Sequence, residues 1–235
     1  MLDVAIQSKS YRTAKGAPLK AIDSIAFQVS DGEFACLVGP SGCGKTTALR
    51  LILGLDREFE GRIRTPPGRV AAMFQEPRLL PWRTVEENIR LVLPPELAAD
   101  DLSALFEMVG PGGMERLYPG ELSLGMARRA ALARAFAVKP SLLVLDEPFV
   151  SLDAATAIRM RRLLMEVWSA RPTTVLMVTH NLAEAAELAD RIILVSERPG
   201  SVRAIHEITL PRERRGAAAV AEIVAEIAGR WPAEQ

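Results

Sequence analysis

The sequence has few cysteines, no excess of either charge and no long apolar run, and each absence excludes a class of protein. Cys36 and Cys43 are its 2 cysteines. They are too few for a disulfide framework, so nothing requires an oxidising compartment. Lys and Arg together number 29 and so do Asp and Glu. This balance argues against a nucleic-acid-binding protein that relies on a broad basic field.

The apolar runs, such as residues 142–145 and 192–195, are far shorter than the roughly 20 residues that a membrane-spanning helix needs. Residues 1–7 contain no basic segment followed by an apolar stretch, so they do not resemble a secretory signal. We therefore expect a cytoplasmic protein that does not itself cross a membrane.

Short apolar runs alternate with helix-like stretches over much of the chain. The runs predict buried strands, and the stretches between them predict helices, one of them with Asp153 as N-cap. This alternation predicts an α/β fold with a mainly parallel sheet. The predicted strands are 34–38, 142–145, 174–178 and 192–195, and the predicted helices are 45–53, 154–170 and 181–189.

Two regions depart from this alternation. The first 30 residues alternate apolar and polar side chains and predict antiparallel strands. Residues 88–138 lack strand signals and predict an inserted helical subdomain, residues 203–210 predict a strand or hairpin, and residues 217–230 a helix. The predicted organisation is a single domain, 1–235, with a core of 1–87 and 139–210, a helical subdomain at 88–138 and a helical tail at 211–235. The arginine cluster at 212–215 contacts lipid, a regulator or nothing, and a run of charges of this kind is usually a solvated face.

Residues 39–46 read Gly-Pro-Ser-Gly-Cys-Gly-Lys-Thr and match G-x-x-x-x-G-K-[ST] between a predicted strand and a predicted helix. Glycines allow the backbone to curl so that several N–H groups point at one phosphate. The helix that follows adds the partial positive charge of its N-terminus. In this pattern Lys45 reaches the β- and γ-phosphates and the Thr46 hydroxyl binds Mg²⁺.

A nucleotide site also needs a carboxylate for the metal and a group that orients the attacking water. Asp146 and Glu147 follow the apolar run 142–145 at the carboxyl end of a predicted strand, where the sites of open α/β sheets lie. We expect Asp146 to hold Mg²⁺ through water and Glu147 to position or deprotonate the water.

Further motifs follow in a fixed order. Residues 73–77 read Met-Phe-Gln-Glu-Pro, 122–126 Leu-Ser-Leu-Gly-Met, 151–153 Ser-Leu-Asp and 178–181 Val-Thr-His-Asn. Together with the glycine loop and the acid pair they resemble the motifs of the ATP-binding cassette (ABC) family. Gln75 fits the Q-loop, Asp153 the D-loop and His180 the switch histidine, while residues 122–126 fit the signature. Tyr11 lies where the family places the aromatic ring that stacks on adenine.

The resemblance implies a P-loop NTPase core with an antiparallel N-terminal β-subdomain, and an ATPase whose two copies pack head to tail around two ATP molecules. It implies catalytic roles for Glu147, His180, Lys45 and Gln75, and metal contacts by Thr46, Gln75 and Asp146. Nucleotide contacts are implied for Tyr11, Gly39, Pro40, Ser41, Gly42, Cys43, Gly44, Lys45, Thr46, Thr47, Ser123, Gly125 and Asp153.

The signature departs from the family pattern, because Leu124 replaces its first glycine and Met126 its glutamine. If that position needs a left-handed backbone or a close approach of phosphate, a β-carbon there carries a steric cost. Ser123 and Gly125 are retained, so we expect a working but slower site.

Several kinds of protein use a phosphate loop. A kinase or GTPase has no use for the signature together with the switch histidine. Repair-type cassettes need a long coiled-coil insertion between the glycine loop and the signature, and no heptad pattern occurs there in this sequence. Ribosome-acting members usually carry two cassettes, whereas one is found here. Fused exporters bring membrane spans of their own, which this sequence does not show. The separate ATPase subunit of an importer remains. The alternatives are a soluble cassette ATPase that is not coupled to transport and an importer ATPase for a different small solute.

Residues 74–88, 182–190 and 196–200 resemble the branch that imports nitrate, sulfonates and taurine. Residues 79–82, Leu-Leu-Pro-Trp, form an apolar run in a predicted surface loop. This run either docks a permease or packs within the helical subdomain. The expected cofactors are ATP and Mg²⁺. The expected partners are a second copy, permease subunits and, indirectly, a solute-binding protein, without nucleic acid. The expected location is the inner face of the cell membrane.

Overall fold

The computed structural model describes residues 1–12, 16–110 and 112–231, so the last four residues of the predicted tail lie outside the described part. The chain divides into two compact units, one made of Met1–Pro66 and Thr174–Gln235 and the other of Pro67–Thr173. The predicted helical segment 88–138 lies within the second unit, and its boundaries remain a prediction. Among the described residues, no helix combines the length and apolarity that crossing a membrane requires.

The described residues contain strands β1–β9 and helices α1–α7. In chain order they are β1 (Leu2–Arg12), β2 (Pro18–Val29), β3 (Phe34–Val38), α1 (Lys45–Ile52), β4 (Glu60–Arg64), β5 (Val70–Met73), α2 (Val85–Arg90), α3 (Ser103–Val109), α4 (Leu124–Ala137), β6 (Leu142–Asp146), α5 (Ala154–Ala170), β7 (Thr174–Thr179), α6 (Leu182–Leu188), β8 (Arg191–Val195), β9 (Gly200–Glu207) and α7 (Ala217–Arg230).

The strands of the first unit lie side by side in the order β4-β1-β2-β9-β8-β3-β7. The pairs β3/β7 and β3/β8 are parallel, as is the short contact between β2 and β9. The pairs β1/β2, β1/β4 and β8/β9 are antiparallel. All five residues of β3 and all six of β7 are buried. Such continuous apolar strands are typical of parallel sheets that are covered on both faces.

In the second unit, β5 and β6 pair in parallel. Helix α4 packs against α2, α3, α5 and β5. Its buried face is mostly alanine (Ala130, Ala131, Ala133, Ala135 and Ala137). These small side chains allow neighbouring elements to approach α4 closely, because each fills little volume.

Strands β4 and β5 were not among the predicted elements. Strand β4 has one half-buried apolar residue, Ile63, among exposed neighbours, so its alternation is too weak to recognise. Strand β5 is only four residues long and two of them are alanine. The other predicted strands and helices agree with the structure to within a few residues, and Asp153 caps α5 by accepting a 3.0 Å hydrogen bond from the Thr156 amide.

The interpretation of the arginine cluster at 212–215 as a solvated face is wrong for two of its members. Arg215 is 8% exposed and donates to the carbonyl oxygens of Ala189 (2.5 Å) and Leu210 (2.8 Å). Arg212 donates to the carbonyl of Leu188 at 2.7 Å. The last carbonyls of a helix have no partner within the helix, so these two guanidinium groups satisfy the C-terminal end of α6.

A buried ion pair connects β1 to the segment after α1. The Lys9 side chain is 3% exposed, and its Nζ lies 2.9 Å from an Asp56 carboxylate oxygen and 2.5 Å from the Glu58 carbonyl oxygen. The hydrogen bond from Lys9 is the largest of the causes that hold the pKa of Asp56 below its usual range. Removal of one partner from such a pair is costly, because the other charge stays buried without compensation.

We expect Asp56→Asn to lower the free energy of unfolding by about 2–3 kcal/mol, because it leaves the Lys9 ammonium buried without its counter-ion. Urea unfolding of the purified protein measures this change. The depressed pKa of Asp56 means that its contribution is complete above the unfolded value of about 3.9 and is lost as the pH falls through the folded value. The difference between wild type and variant should therefore shrink below about pH 4.

The matched control is Asp23→Asn, because Asp23 pairs with Lys20 on the surface and both side chains are about half exposed. We expect this variant to cost less than about 1 kcal/mol. Equal losses in the two variants would contradict a special contribution from the buried pair.

Candidate functional site

The glycine loop follows β3 and ends where α1 begins at Lys45. Gly44 caps the helix in a left-handed conformation, with φ at 101°, and no side chain bonds to the first turn. The first turn also contains no acidic residue. The amide groups at this end of α1 are therefore left for an anion, which the helix N-terminus favours.

Two glycines of the loop have no room for a side chain. A Cβ at Gly39 would lie 2.8 Å from the Val195 carbonyl oxygen, and a Cβ at Gly44 would lie 2.8 Å from the Ala21 carbonyl oxygen. The backbone therefore packs directly against neighbouring strands, which fixes the curve of the loop. Ser41, Gly42 and Thr46 are exposed, and Thr47 is half-buried.

Lys45 is 5% exposed, and its side chain folds back into the loop. Its Nζ donates to the carbonyl oxygens of Gly39 and Pro40, each at 2.7 Å, and lies 3.8 Å from the Cys43 sulfur. Within the described residues Lys45 forms no ion pair. A buried ammonium that is held by neutral groups attracts an anion, so the loop fits the phosphates of a nucleotide.

Tyr11 lies at the end of β1 and is half-buried. Its hydroxyl donates to Asp56 at 3.2 Å, and the Lys9 ammonium lies 4.8 Å from its ring centroid. The buried ion pair of the fold thus also sets the orientation of this ring. Its role as the adenine-stacking aromatic remains a proposal.

His180 is exposed at the end of β7. Its neighbours are fixed, since the Thr179 hydroxyl donates to Glu184 at 2.8 Å and accepts from the Asn181 amide at 3.0 Å. His180 and the loop residues Gly39 and Pro40 line a common cavity of about 350 Å³. Tyr11 does not line this cavity, whereas Trp231, which the sequence did not single out, does.

In the second unit, the acid pair ends β6. Asp146 is 8% exposed, and Glu147 has φ at 46°, which places it in the left-handed region. A residue other than glycine in this conformation stores strain of about 1–3 kcal/mol, and such residues cluster at functional sites. Ser151 is also left-handed, with φ at 61°. The turn ends at Asp153, whose pKa is held below its usual range by the hydrogen bonds from Thr156.

Mg²⁺ prefers hard oxygen ligands and usually keeps several waters. The Thr46 hydroxyl, the Asp146 carboxylate and the Gln75 amide supply oxygens of this kind, so the donor set fits the metal. Gln75 lies just after β5 and is exposed. These residues belong to both units, and their joint contact with a metal remains a proposal.

The signature begins α4. The Ser123 hydroxyl caps the helix by accepting from the Met126 amide at 3.3 Å, and Leu124 is the first helical residue. Among the described residues, Leu124 is not one of those with a left-handed backbone, and it is 45% exposed. The backbone at this position is therefore not left-handed, and a slower site through hindered approach of the phosphate stays a prediction. At Gly125, in contrast, a Cβ would lie 2.9 Å from the Thr156 methyl carbon, so a side chain there would have to displace Thr156.

Three buried or half-buried residues of the second unit were missed from the sequence. Arg128 and Arg134 of α4 donate to backbone carbonyls of other segments, and Asn88 of α2 bonds to the loop before that helix. The signal available in the sequence was an arginine or asparagine among apolar neighbours, which indicates a buried polar side chain. Its partners could not be read, because they are backbone atoms distant in sequence.

Comparison with known proteins gives the family. The sequence model of the family described as "ABC transporter" matches residues 22–150. The chain belongs to the ABC transporter family. The predicted ABC-type ATPase with a P-loop α/β fold is thereby confirmed, and ATP is its nucleotide.

Two relatives are similar over most of the chain. An aliphatic sulfonates import ATP-binding protein, SsuB, of Bacillus cereus is 42% identical over 216 residues, which cover 88% of this chain and 84% of the relative. A second, SsuB 2 of Burkholderia lata, is 40% identical over 225 residues, which cover 92% and 81%.

Solved structures agree with the ABC fold. A dimeric structure of the bacterial ABC transporter cassette MJ0796 has a TM-score of 0.75 and 25% identity, and covers 90% of this chain and 100% of that one. A dimeric post-hydrolysis state of MJ0796 bound to ADP and Pi has a TM-score of 0.74 at 24% identity, with the same coverage.

Because Leu124 is exposed at the start of α4, we expect Leu124→Gly to raise ATP turnover about threefold, which corresponds to roughly 0.7 kcal/mol. The physical reason is easier approach of a phosphate to the helix N-terminus. Glycine in the helix should lower stability by about 0.5–1 kcal/mol. Steady-state ATPase assays and urea unfolding measure the two effects.

Leu124→Ala is the matched variant, since it removes most of the side chain without the freedom of glycine. A rise in both variants indicates that bulk slows the site. Unchanged turnover in both would show that the departure at Leu124 has no functional cost.

Proposed function

We propose that this chain is the ATP-hydrolysing subunit of an importer for small anions of the aliphatic sulfonate type. The observation that carries the proposal is the 42% identity over 88% of the chain to a protein named for the import of aliphatic sulfonates. Nitrate is a small anion of the same charge, and taurine carries the same sulfonate group beside an ammonium group.

The nucleotide is held by the glycine loop. The backbone N–H groups of residues 41–47 surround the phosphates, and the Lys45 ammonium leaves its two carbonyl partners for the β- and γ-phosphate oxygens. Tyr11 offers its ring to the adenine. This exchange is favourable, because a negatively charged phosphate attracts the ammonium more strongly than neutral carbonyl dipoles do.

Hydrolysis requires an oriented water and a neutralised phosphate. The Thr46 hydroxyl, Gln75 and, through water, Asp146 hold Mg²⁺, which when bound neutralises charge that develops on the phosphate oxygens. Glu147 orients or deprotonates the water, and its left-handed backbone fixes the direction of its carboxylate. His180 holds the γ-phosphate.

A second copy completes each site. Ser123 and Gly125 contact the nucleotide of the partner copy. Asp153, at the start of α5, contributes a further contact to the nucleotide. The N-terminus of α4 supports this role, because its first turn carries no acidic residue that would repel a phosphate. The likeness to a dimeric cassette at 25% identity also supports it.

The apolar run 79–82 docks a permease. Trp82 is 71% exposed, Pro81 is exposed, and Leu79 and Leu80 are half-buried. Part of the run therefore packs inward and part is presented outward. Contact with a permease places the subunit at the inner face of the membrane, with a solute-binding protein as an indirect partner.

Reconstitution in vesicles with the permease and solute-binding protein tests the function. We expect ATP-dependent uptake of an aliphatic sulfonate by the wild type.

Glu147→Gln should lower ATP turnover by at least about 100-fold, because it removes the group that orients the water, while the variant still binds ATP and dimerises. Lys45→Ala should instead lose ATP binding.

Glu166→Gln is the control, since Glu166 is exposed on α5 of the same unit. It should leave turnover and uptake unchanged. Fast turnover by Glu147→Gln, or ATP hydrolysis that no aliphatic sulfonate, nitrate or taurine stimulates in the complete assembly, would contradict the proposal.

We expect Trp82→Ala to lower permease-stimulated ATP turnover at least about tenfold, because an aromatic anchor at the centre of an interface contributes about 2 kcal/mol to the binding free energy. The turnover of the isolated subunit should stay within about twofold of wild type. Leu91→Ala, which removes a side chain that is 55% exposed nearby in the chain, is the control. Full stimulation of Trp82→Ala by the permease would rule out docking through this run.

A further inference from the structure

Helix α4 starts at the signature and carries arginines that bond to two other functional segments of its unit. Ser123 caps its first turn, and Arg134 lies in its last turn. At 1.5 Å per residue the two positions are about 16 Å apart along the axis. A packed helix transmits displacement over such a distance with little bending, since it contacts α2, α3, α5 and β5 along its length.

Arg134 binds the backbone just after Gln75. Its Nη1 donates to the Arg78 carbonyl oxygen and its Nη2 to the Pro77 carbonyl oxygen, both at 2.7 Å. The two bonds use the planar fork of the guanidinium, which holds two acceptors in a fixed geometry. Burial lowers the pKa of Arg134, although arginine remains charged in proteins.

The segment that Arg134 holds has a strained conformation. Arg78 is left-handed, with φ at 49°, and its guanidinium lies 4.2 Å from the centroid of the Phe74 ring. A left-handed residue other than glycine persists only where its surroundings determine it. The fork of Arg134 and the stacking on Phe74 supply that determination.

Asn88 of α2 holds the other end of the same segment. It is 1% exposed, its Oδ1 accepts from the Leu80 amide at 2.7 Å, and its Nδ2 donates to the carbonyls of Leu80, Arg83 and Thr84 at 2.9–3.2 Å. Residues 77–84 are thus held by Arg134 at one end and by Asn88 at the other, and the exposed Trp82 lies between Leu80 and Arg83, which both bond to Asn88.

Helix α4 is also bonded to the turn that follows the acid pair. Arg128 is 2% exposed, and its Nη1 donates to the Pro148 carbonyl oxygen at 2.8 Å. Pro148 directly follows Glu147. One helix therefore touches the segment after Gln75, the turn after Glu147 and, through its cap, the signature.

We propose that Arg134 is a positioning residue that couples the signature end of α4 to the apolar run 79–82. Movement of Ser123 against a partner's nucleotide is passed along α4 and through the Arg134 fork to Trp82. The proposal rests on the function proposed above, because it assigns the two ends of this connection to a second copy and to a permease.

Two measurements on Arg134→Gln test the proposal. In the isolated chain, amide hydrogen exchange of residues 78–84 should become about tenfold faster, while the amides of α4 exchange as in the wild type. In vesicles with the permease and binding protein, substrate-stimulated ATP turnover should fall about tenfold, and basal turnover should stay within about twofold. Arg134→Lys, which keeps the charge and can bond to one or both carbonyls, should recover at least about half of the stimulation.

Arg162→Gln is the control, because Arg162 is exposed on α5 and has no hydrogen bond or ion pair among the described residues. It should change neither measurement. Equal loss of basal and stimulated turnover in Arg134→Gln, or full stimulation despite faster exchange, would overturn the coupling role.

Unchanged exchange would overturn the fastening itself. A wild-type complex without substrate stimulation would refute the proposed function and the coupling with it, while the exchange result would still report separately whether Arg134 holds residues 78–84.

Discussion

The buried ammonium of Lys45 and the loop around it form the constraint on which the nucleotide site depends. Two backbone carbonyls hold the charge at 2.7 Å each, and no carboxylate of the described residues pairs with it. Neutral acceptors stabilise a buried cation less than an anion does. The folded protein therefore keeps a charge whose best partner is a phosphate, and the tight packing at Gly39 and Gly44 preserves the space for that partner.

The second unit is organised around a helix rather than a loop. Helix α4 is lined with alanines on its buried face, so α2, α5 and β5 come close to it. Its arginines reach beyond this alanine surface and bond to backbone carbonyls. Carbonyl oxygens are present at every position, so these contacts require no particular acceptor side chain.

The sequence allowed the buried strands and the phosphate loop to be predicted, because both depend on local patterns. Strand β3 and strand β7 are continuous apolar runs, and residues 39–46 match a motif whose spacing follows from backbone geometry. Strand β4 was missed because it has little apolar surface. The interpretation of the cluster 212–215 was wrong for Arg212 and Arg215, because buried guanidinium contacts depend on which distant backbone atoms are near. The contacts of Arg128, Arg134 and Asn88 could not be predicted for the same reason.

Through Arg212 and Arg215, the C-terminal segment supports the helix that follows the switch histidine, His180. They satisfy carbonyls at the end of α6, and α6 starts two residues after His180. A chain that stopped before residue 212 would leave those acceptors to water and the helix free to fray toward the histidine. Shortened versions of this protein should therefore end beyond Arg215, so that both guanidinium groups are kept.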